Sequence, residues 1–274
     1  MPERPSANDI EPLRLYWQPG CTSCLRTREF LQSRGVAFES INVLANPRAF
    51  EALALLGVRT VPVLARGDRY VLAQDLAEVA RFAGQAYAER RLAVPELLAR
   101  IERLLEAAAE HAERWPAAAL PQQLPERPRS HADLLYHVAM IVQGLLDAAE
   151  PGGRGRLDYE YFERRPPASL IAPQALAAEL RRVAVALRGA VAAMTAGAGQ
   201  RLVATYYGDR PLHEVLERTA WHVAQHIRQL NHLLVDVLRV ANARPLDPAL
   251  LSGLPLPERV WDAEVQFAAR TALD

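Results

Sequence analysis

The chain has 274 residues, half of them hydrophobic, with 32 basic side chains balancing 32 acidic ones. That length leaves room for about two domains with sizeable cores, and the charge balance excludes recruitment of nucleic acid or an anionic membrane by bulk charge. No apolar run approaches the ~20 residues of a membrane span, and Met1 to Ser6 lacks the apolar segment of a secretory leader.

In chain order, Leu13 to Trp17 alternates bulky and polar residues as a short strand does, and Gln18-Pro19-Gly20 breaks it. The chain's two cysteines follow as Cys21-Thr22-Ser23-Cys24, ahead of a helix expected over Leu25 to Ser33. A Cys-x-x-Cys at a helix N-terminus places its first thiolate against unpaired N–H groups and the positive end of the dipole, which lowers its pKa. Half of a zinc site is the other use of such a pair. A second cysteine pair is lacking, however, and the nearest histidine is His111. Thiol exchange in a reducing cytoplasm is therefore the expected chemistry and setting. A second strand is expected over Val36 to Val43, a helix over Pro47 to Leu56, strands over Val58 to Ala65 and Arg69 to Leu72, and a helix over Gln74 to Ala83. Pro62 interrupts an otherwise good strand, which is anomalous for an ordinary strand residue.

From Leu13 to Gly84 this order resembles a glutaredoxin, through Cys21-Thr22-Ser23-Cys24 and Thr60-Val61-Pro62. The resemblance implies a thioredoxin-like fold with Cys21 as nucleophile and Cys24 as resolving thiol. It also implies a cis Pro62, with Thr60, Val61, Pro62 and Asp75 shaping the groove for a low-molecular-weight thiol such as glutathione. Two features depart from the pattern. Leu72-Ala73-Gln74-Asp75 replaces the usual glycine pair before the last helix, and Thr22-Ser23 replaces the usual aromatic between the cysteines.

After about Leu92 the composition shifts to Ala, Leu, Arg and Glu with helical periodicity and no convincing strand. Four amphipathic helices are expected: Val94 to Arg114, Ser130 to Ala149, Pro173 to Thr195 and Pro211 to Val240. His222 and His226 are four apart and share one face of the last helix, a spacing that lets two imidazoles bind one metal. His137 lies among apolar residues of the second helix, where an unpaired imidazole is costly. His213 and His232 point elsewhere and read as surface or packing residues, and His131 as a solvent or capping residue. Gln225 and Gln229 read as helix-surface residues or as supports of the ligands. Tyr159 to Phe162 and Tyr206-Tyr207 read as packing in connections, and Glu102, Glu106 and Glu110 as an exposed stripe.

Leu134-Leu135-Tyr136-His137, Trp221 to Leu230 and the tail Leu254 to Trp261 resemble the DinB-like metal-binding four-helix bundles. That resemblance implies a divalent ion held by His137, His222 and His226 with open positions. Zinc is the first expectation, with nickel, iron or manganese as alternatives.

The expected fold class is thus an α+β multidomain protein, a thioredoxin-like α/β domain followed by an all-α four-helix bundle. Residues 1–12 form an extension, 13–92 the glutaredoxin-like domain, 93–240 the bundle, and 241–274 a tail packing on the bundle. The leading functional expectation is a thiol-disulfide oxidoreductase or metal-dependent thiol transferase acting on a small thiol, its conjugate or a mixed disulfide. One alternative is a disulfide reductase whose bundle docks a partner, and another is a redox- or metal-responsive sensor. Neither nucleic acid nor membrane is expected as a partner, whereas a second copy is a candidate across an apolar outer stripe.

Overall fold

A computed structural model of the chain describes residues 11–88, 90–125, 127–150, 155–196 and 201–262. The expected extension, residues 1–12, lies outside the described residues apart from Glu11 and Pro12. The described residues divide into two units, one built from residues 11–90 together with 257–262, the other from Arg91 to Leu256.

The first unit is a four-stranded sheet in the order β2-β1-β3-β4, with strands β1 (Arg14–Trp17), β2 (Glu39–Asn42), β3 (Val63–Arg66) and β4 (Arg69–Leu72). β1 runs parallel to β2 and antiparallel to β3, which pairs antiparallel with β4. Alternation sends side chains of the central strands into two cores. Leu15 and Leu64 join Phe30, Leu31 and Val79, while Tyr16, Val63 and Ala65 join Val43, Leu53 and Val61. Helices α1 (Thr22–Ser33), α2 (Pro47–Leu55) and α3 (Leu76–Phe82) complete the unit. α1 begins at Thr22 rather than Leu25, because Cys21 itself caps it, and Gly35 at φ +64° ends it. Asn46 and Asp75 cap α2 and α3 through their side chains.

The second unit holds four long helices: α4 (Val94–Arg114), α5 (His131–Ala149), α6 (Pro173–Thr195) and α7 (Leu212–His232). α4 packs on α6 and α7, and α5 packs on the same two, so α4 and α5 are diagonal partners. Ser130 and Asp133 form a reciprocal capping box that starts α5. α7 is shorter than expected, since its last turn widens into a π-helical turn over Leu233–Val237. The glutamate stripe of α4 faces arginines of α6 rather than only solvent, with Arg188–Glu102 at 2.6 Å and Arg181–Glu106 at 3.6 Å.

Three further results differ from expectation. A small sheet in the order β5-β6-β7 stands beside the helices, from β5 (Arg156–Leu157), β6 (Leu202–Thr205) and β7 (Gly208–Pro211). β6 and β7 form a hairpin turned at Tyr206-Tyr207, with Gly208 at φ +107°. His131 is neither exposed nor the cap; it is buried edge-on to Trp115 at 5.4 Å, and Ser130 does the capping. The tail divides: residues 241–256 stay with the helices, where Arg100 donates to the carbonyls of Leu250 and Ser252, while 257–262 group with the first unit.

Burial pushes His131 down to about 4. An unfolded histidine titrates near its ordinary value of about 6.5, so between the two the unfolded chain takes up a proton that the native state refuses. Stability is therefore present above pH ~6.5 and lost as pH falls, by about 3 kcal/mol for this one group at pH 4. Denaturant unfolding between pH 7 and 4 should show that loss, and His131→Phe should remove this group's share of it while the shares of the other buried histidines remain. Gly144 of α5 is a second test. A Cβ there would meet Leu157 at 2.9 Å and Tyr161 at 3.0 Å, so Gly144→Val should cost about 1–3 kcal/mol in the same assay.

Candidate functional site

His137 projects from the middle of α5, and His222 and His226 project one turn apart from α7, which packs beside it. All three are buried, at 3%, 7% and 2% exposure. Their candidate ligand atoms lie within 4.8 Å of one another. The Nε2 atoms of His222 and His226 are 3.2 Å apart. Two tetrahedral nitrogen ligands at zinc distances of 2.0–2.1 Å stand about 3.3 Å apart, so the pair already has the spacing that one ion requires. Among the described residues Nδ1 of His137 is buried without a hydrogen-bond partner, as a ring awaiting a ligand or ion would be. A set of three neutral nitrogens fits a divalent ion with an open position, which is the arrangement of catalytic rather than structural sites.

The surroundings keep two of these rings neutral. Burial, then the guanidinium of Arg129, holds both His137 and His226 well below the usual imidazole range. Gln229, one turn on from His226, places its Oε1 2.8 Å from His226 Nδ1. That contact puts the proton on Nδ1 and frees Nε2 to face the other rings.

Segments that read as plain connections wall the cluster. Phe162, in the short helical turn Tyr159–Phe162, lies edge-on to His137 at 5.9 Å and tilted to His222 at 5.7 Å. Tyr206 of the β6–β7 turn packs on Phe162 at 5.8 Å. Arg218 of α7 donates to the Tyr206 hydroxyl at 2.7 Å and lies 5.2 Å from the Phe162 ring centre. Arg129 donates to the Phe162 carbonyl at 3.2 Å. The composition of Leu202 to Tyr207, β-branched and aromatic ahead of a glycine, was the available signal for this hairpin. Arg129 and Arg218 carried no signal at all. Of the remaining histidines, His213 contacts the Leu92 carbonyl, His232 contacts Asp236 and His111 contacts Asn231.

In the first unit Cys21 and Cys24 are joined as a disulfide. Cys21 is half-buried at the helix start and Cys24 is buried. The Cys21 sulfur accepts from the Cys24 N–H at 3.3 Å, the orientation in which a thiolate would be stabilised. Val61 packs in the same apolar cluster as both cysteines, and the Val61–Pro62 peptide is cis. Thr60 precedes it, half-buried. Asp75 caps α3 by accepting from Ala77 N–H at 2.6 Å. The substituted residues of the two motifs meet: Ser23 Oγ donates to Gln74 Oε1 at 2.9 Å, and Arg26 donates to the Gln74 carbonyl at 2.7 Å. Polar side chains thus tie the cysteine helix to the loop before α3.

Residues 13–71 match the family model described as Glutaredoxin, and residues 71–230 match that of the DinB superfamily. The chain is 39% identical over 56 residues to the glutaredoxin-like protein NrdH of Escherichia coli K12, covering 20% of this chain and 69% of that protein. Identity to the NrdH protein of Salmonella typhimurium is 36% over the same coverage. The Gene 56 protein of Mycobacterium phage L5 is 33% identical over 54 residues, 19% of this chain and 52% of that protein. No solved structure matches the chain.

Because Gln229 orients His226, Gln229→Leu should weaken divalent-ion affinity about 10–100-fold while leaving helix content unchanged, as read by competition with a chromogenic chelator and by circular dichroism.

Proposed function

We propose a function for a chain that belongs to the DinB superfamily and whose first domain is a glutaredoxin: a thiol-dependent metalloenzyme acting on a low-molecular-weight thiol or its conjugate. The observation that carries this proposal is the convergence of three buried imidazoles at metal-ligand spacing in a chain that also holds an exchange pair.

At the family level the first domain is a thiol-disulfide oxidoreductase. In the proposed cycle, the Cys21 thiolate attacks a mixed disulfide, forms a new S–S bond to one sulfur and expels the other as a thiolate. Cys24 then attacks Cys21, releases the second thiolate and leaves the Cys21–Cys24 disulfide. An external dithiol or reductase restores the pair, taking up the disulfide bond itself. Half-burial suits Cys21 to the first attack, and full burial suits Cys24 to an internal one. Thr60, Val61, Pro62 and Asp75 would border the incoming thiol, with glutathione as one candidate.

His137, His222 and His226 would hold the ion, with zinc favoured by a three-nitrogen set and nickel, iron or manganese compatible with it. When bound, such an ion supplies Lewis acidity that lets a small thiol ionise at neutral pH. The chain's own groups do the rest. Gln229 keeps His226 in the ligating tautomer, Phe162 and Tyr206 limit water, and Arg129 and Arg218 set positive charge beside the cluster, which favours an anionic reactant. The proposed setting is cytoplasmic, with small thiols or mixed disulfides as partners.

A second reading, a disulfide reductase whose helical unit only docks a partner, is favoured by the curated relatives, two of them glutaredoxin-like proteins, which match over only 54 to 56 residues of this chain.

Elemental analysis of the full-length protein should find about one divalent ion per chain, lost in both His137→Ala and His222→Ala. Release of a small thiol from a mixed disulfide should fall to background in Cys21→Ser. Protein that neither retains nor takes up an ion, with reductase activity intact, would decide for the second reading. Activity surviving both Cys21→Ser and His222→Ala would overturn the two together.

A further inference from the structure

The stretch 257–262 lies beyond both matched regions and groups with the first unit. It is held at two points by adjacent residues of α1. The Glu29 carboxylate accepts from two successive backbone N–H groups, Glu258 at 2.6 Å and Arg259 at 3.1 Å. The Asp262 carboxylate then reaches the start of the same helix. One oxygen accepts from the Gly20 N–H at 3.0 Å, and the other pairs with the Arg28 guanidinium. The side chains of Arg28 and Asp262 are 6% and 1% exposed, and Arg28 stacks 4.4 Å above the Trp17 ring.

These contacts bear on the cysteines. Gly20 directly precedes Cys21 and sits at φ +66°, so the hydrogen bond to Asp262 holds the peptide that aims the exchange loop. Arg28 is seven residues after Cys21 and four after Cys24, on the same face of α1. A cation there favours the Cys21 thiolate and hence the dithiol form, and a carboxylate paired with it cancels that pull. Among the described residues, Arg26 near this end of α1 donates to the Gln74 carbonyl, Asp75 accepts from Ala77 N–H, and Tyr16 lies within the apolar cluster.

We infer that Asp262 is a positioning residue of the exchange site: the C-terminal strap fixes the Gly20 peptide and neutralises Arg28, and thereby sets how strongly the Cys21–Cys24 pair favours its disulfide. This rests on the exchange chemistry proposed above.

The test is the dithiol–disulfide equilibrium of the full-length protein against defined ratios of reduced and oxidised dithiothreitol, read by alkylation mass shift. Asp262→Asn keeps an oxygen for Gly20 and removes the charge facing Arg28. It should shift the equilibrium about tenfold toward the dithiol, a midpoint about 30 mV less negative. Adding Arg28→Gln should return the value to within about twofold of the parent, a rescue that a merely structural contact would not give. Glu29→Ala loosens the strap without touching Asp262 or the loop and should shift the equilibrium the same way. It also decides the matter if Asp262→Asn fails to fold by thermal melting. With a reducible parent pair, unchanged equilibria in these variants, or a shift toward the disulfide, would overturn the strap inference alone. A parent pair that dithiothreitol never reduces would overturn the exchange chemistry and the inference with it.

Discussion

Three imidazoles facing one another in the seam between α5 and α7 place the strongest constraint on the helical unit. All three are buried, and burial with the Arg129 guanidinium holds His137 and His226 well below the usual imidazole range. That constraint propagates outward. α7 must keep an unbroken helical register from His222 to Gln229, and it does so before widening at Leu233. The turn at Tyr159–Phe162 and the β6–β7 hairpin must close over the rings, and Phe162 and Tyr206 do so. Even Arg218, a buried cation, is accommodated by aromatic faces and the Tyr206 hydroxyl.

The first unit solves a different problem, which is to aim a sulfur at the start of a helix. Cys21 serves as the cap of its own helix, so the chain gives up a conventional side-chain oxygen at that position. Rigidity returns through contacts distant in sequence. Ser23, Arg26 and Thr27 anchor on Ala73 and Gln74, and Gly20 and Arg28 anchor on Asp262. Ser23, between the cysteines, gives the Gln74 side chain a donor, so the two segments are joined across the fold.

Much of this was legible from local pattern. The bounds of α4 and α6 follow from 3.6-residue periodicity with proline near the start of each, and a capping serine marks the start of α5. The four-residue spacing of His222 and His226 places both on one face whatever surrounds the helix. The short strands were not legible in this way. β5 has two residues and β6 and β7 four each, too few for a period to register, and β5 pairs with a strand far along the chain, Arg156 with Ala204 and Leu157 with Thr205. His131 was misjudged because position next to a cap is compatible with exposure or burial alike, and the side of the helix that Trp115 covers is a tertiary fact.

By itself, then, the sequence determined the two-part architecture, the cysteine pair at a helix start, and which three histidines meet, because these depend on spacing along a single element or on motif identity. Only the tertiary structure decided what surrounds those groups: Gln229 on His226, the aromatic wall, the arginines beside the rings, and Asp262 on Gly20 and Arg28. The physical reason is that a side chain's charge and reach can be read from its identity, while the field it feels is set by neighbours that the fold brings in from far along the chain.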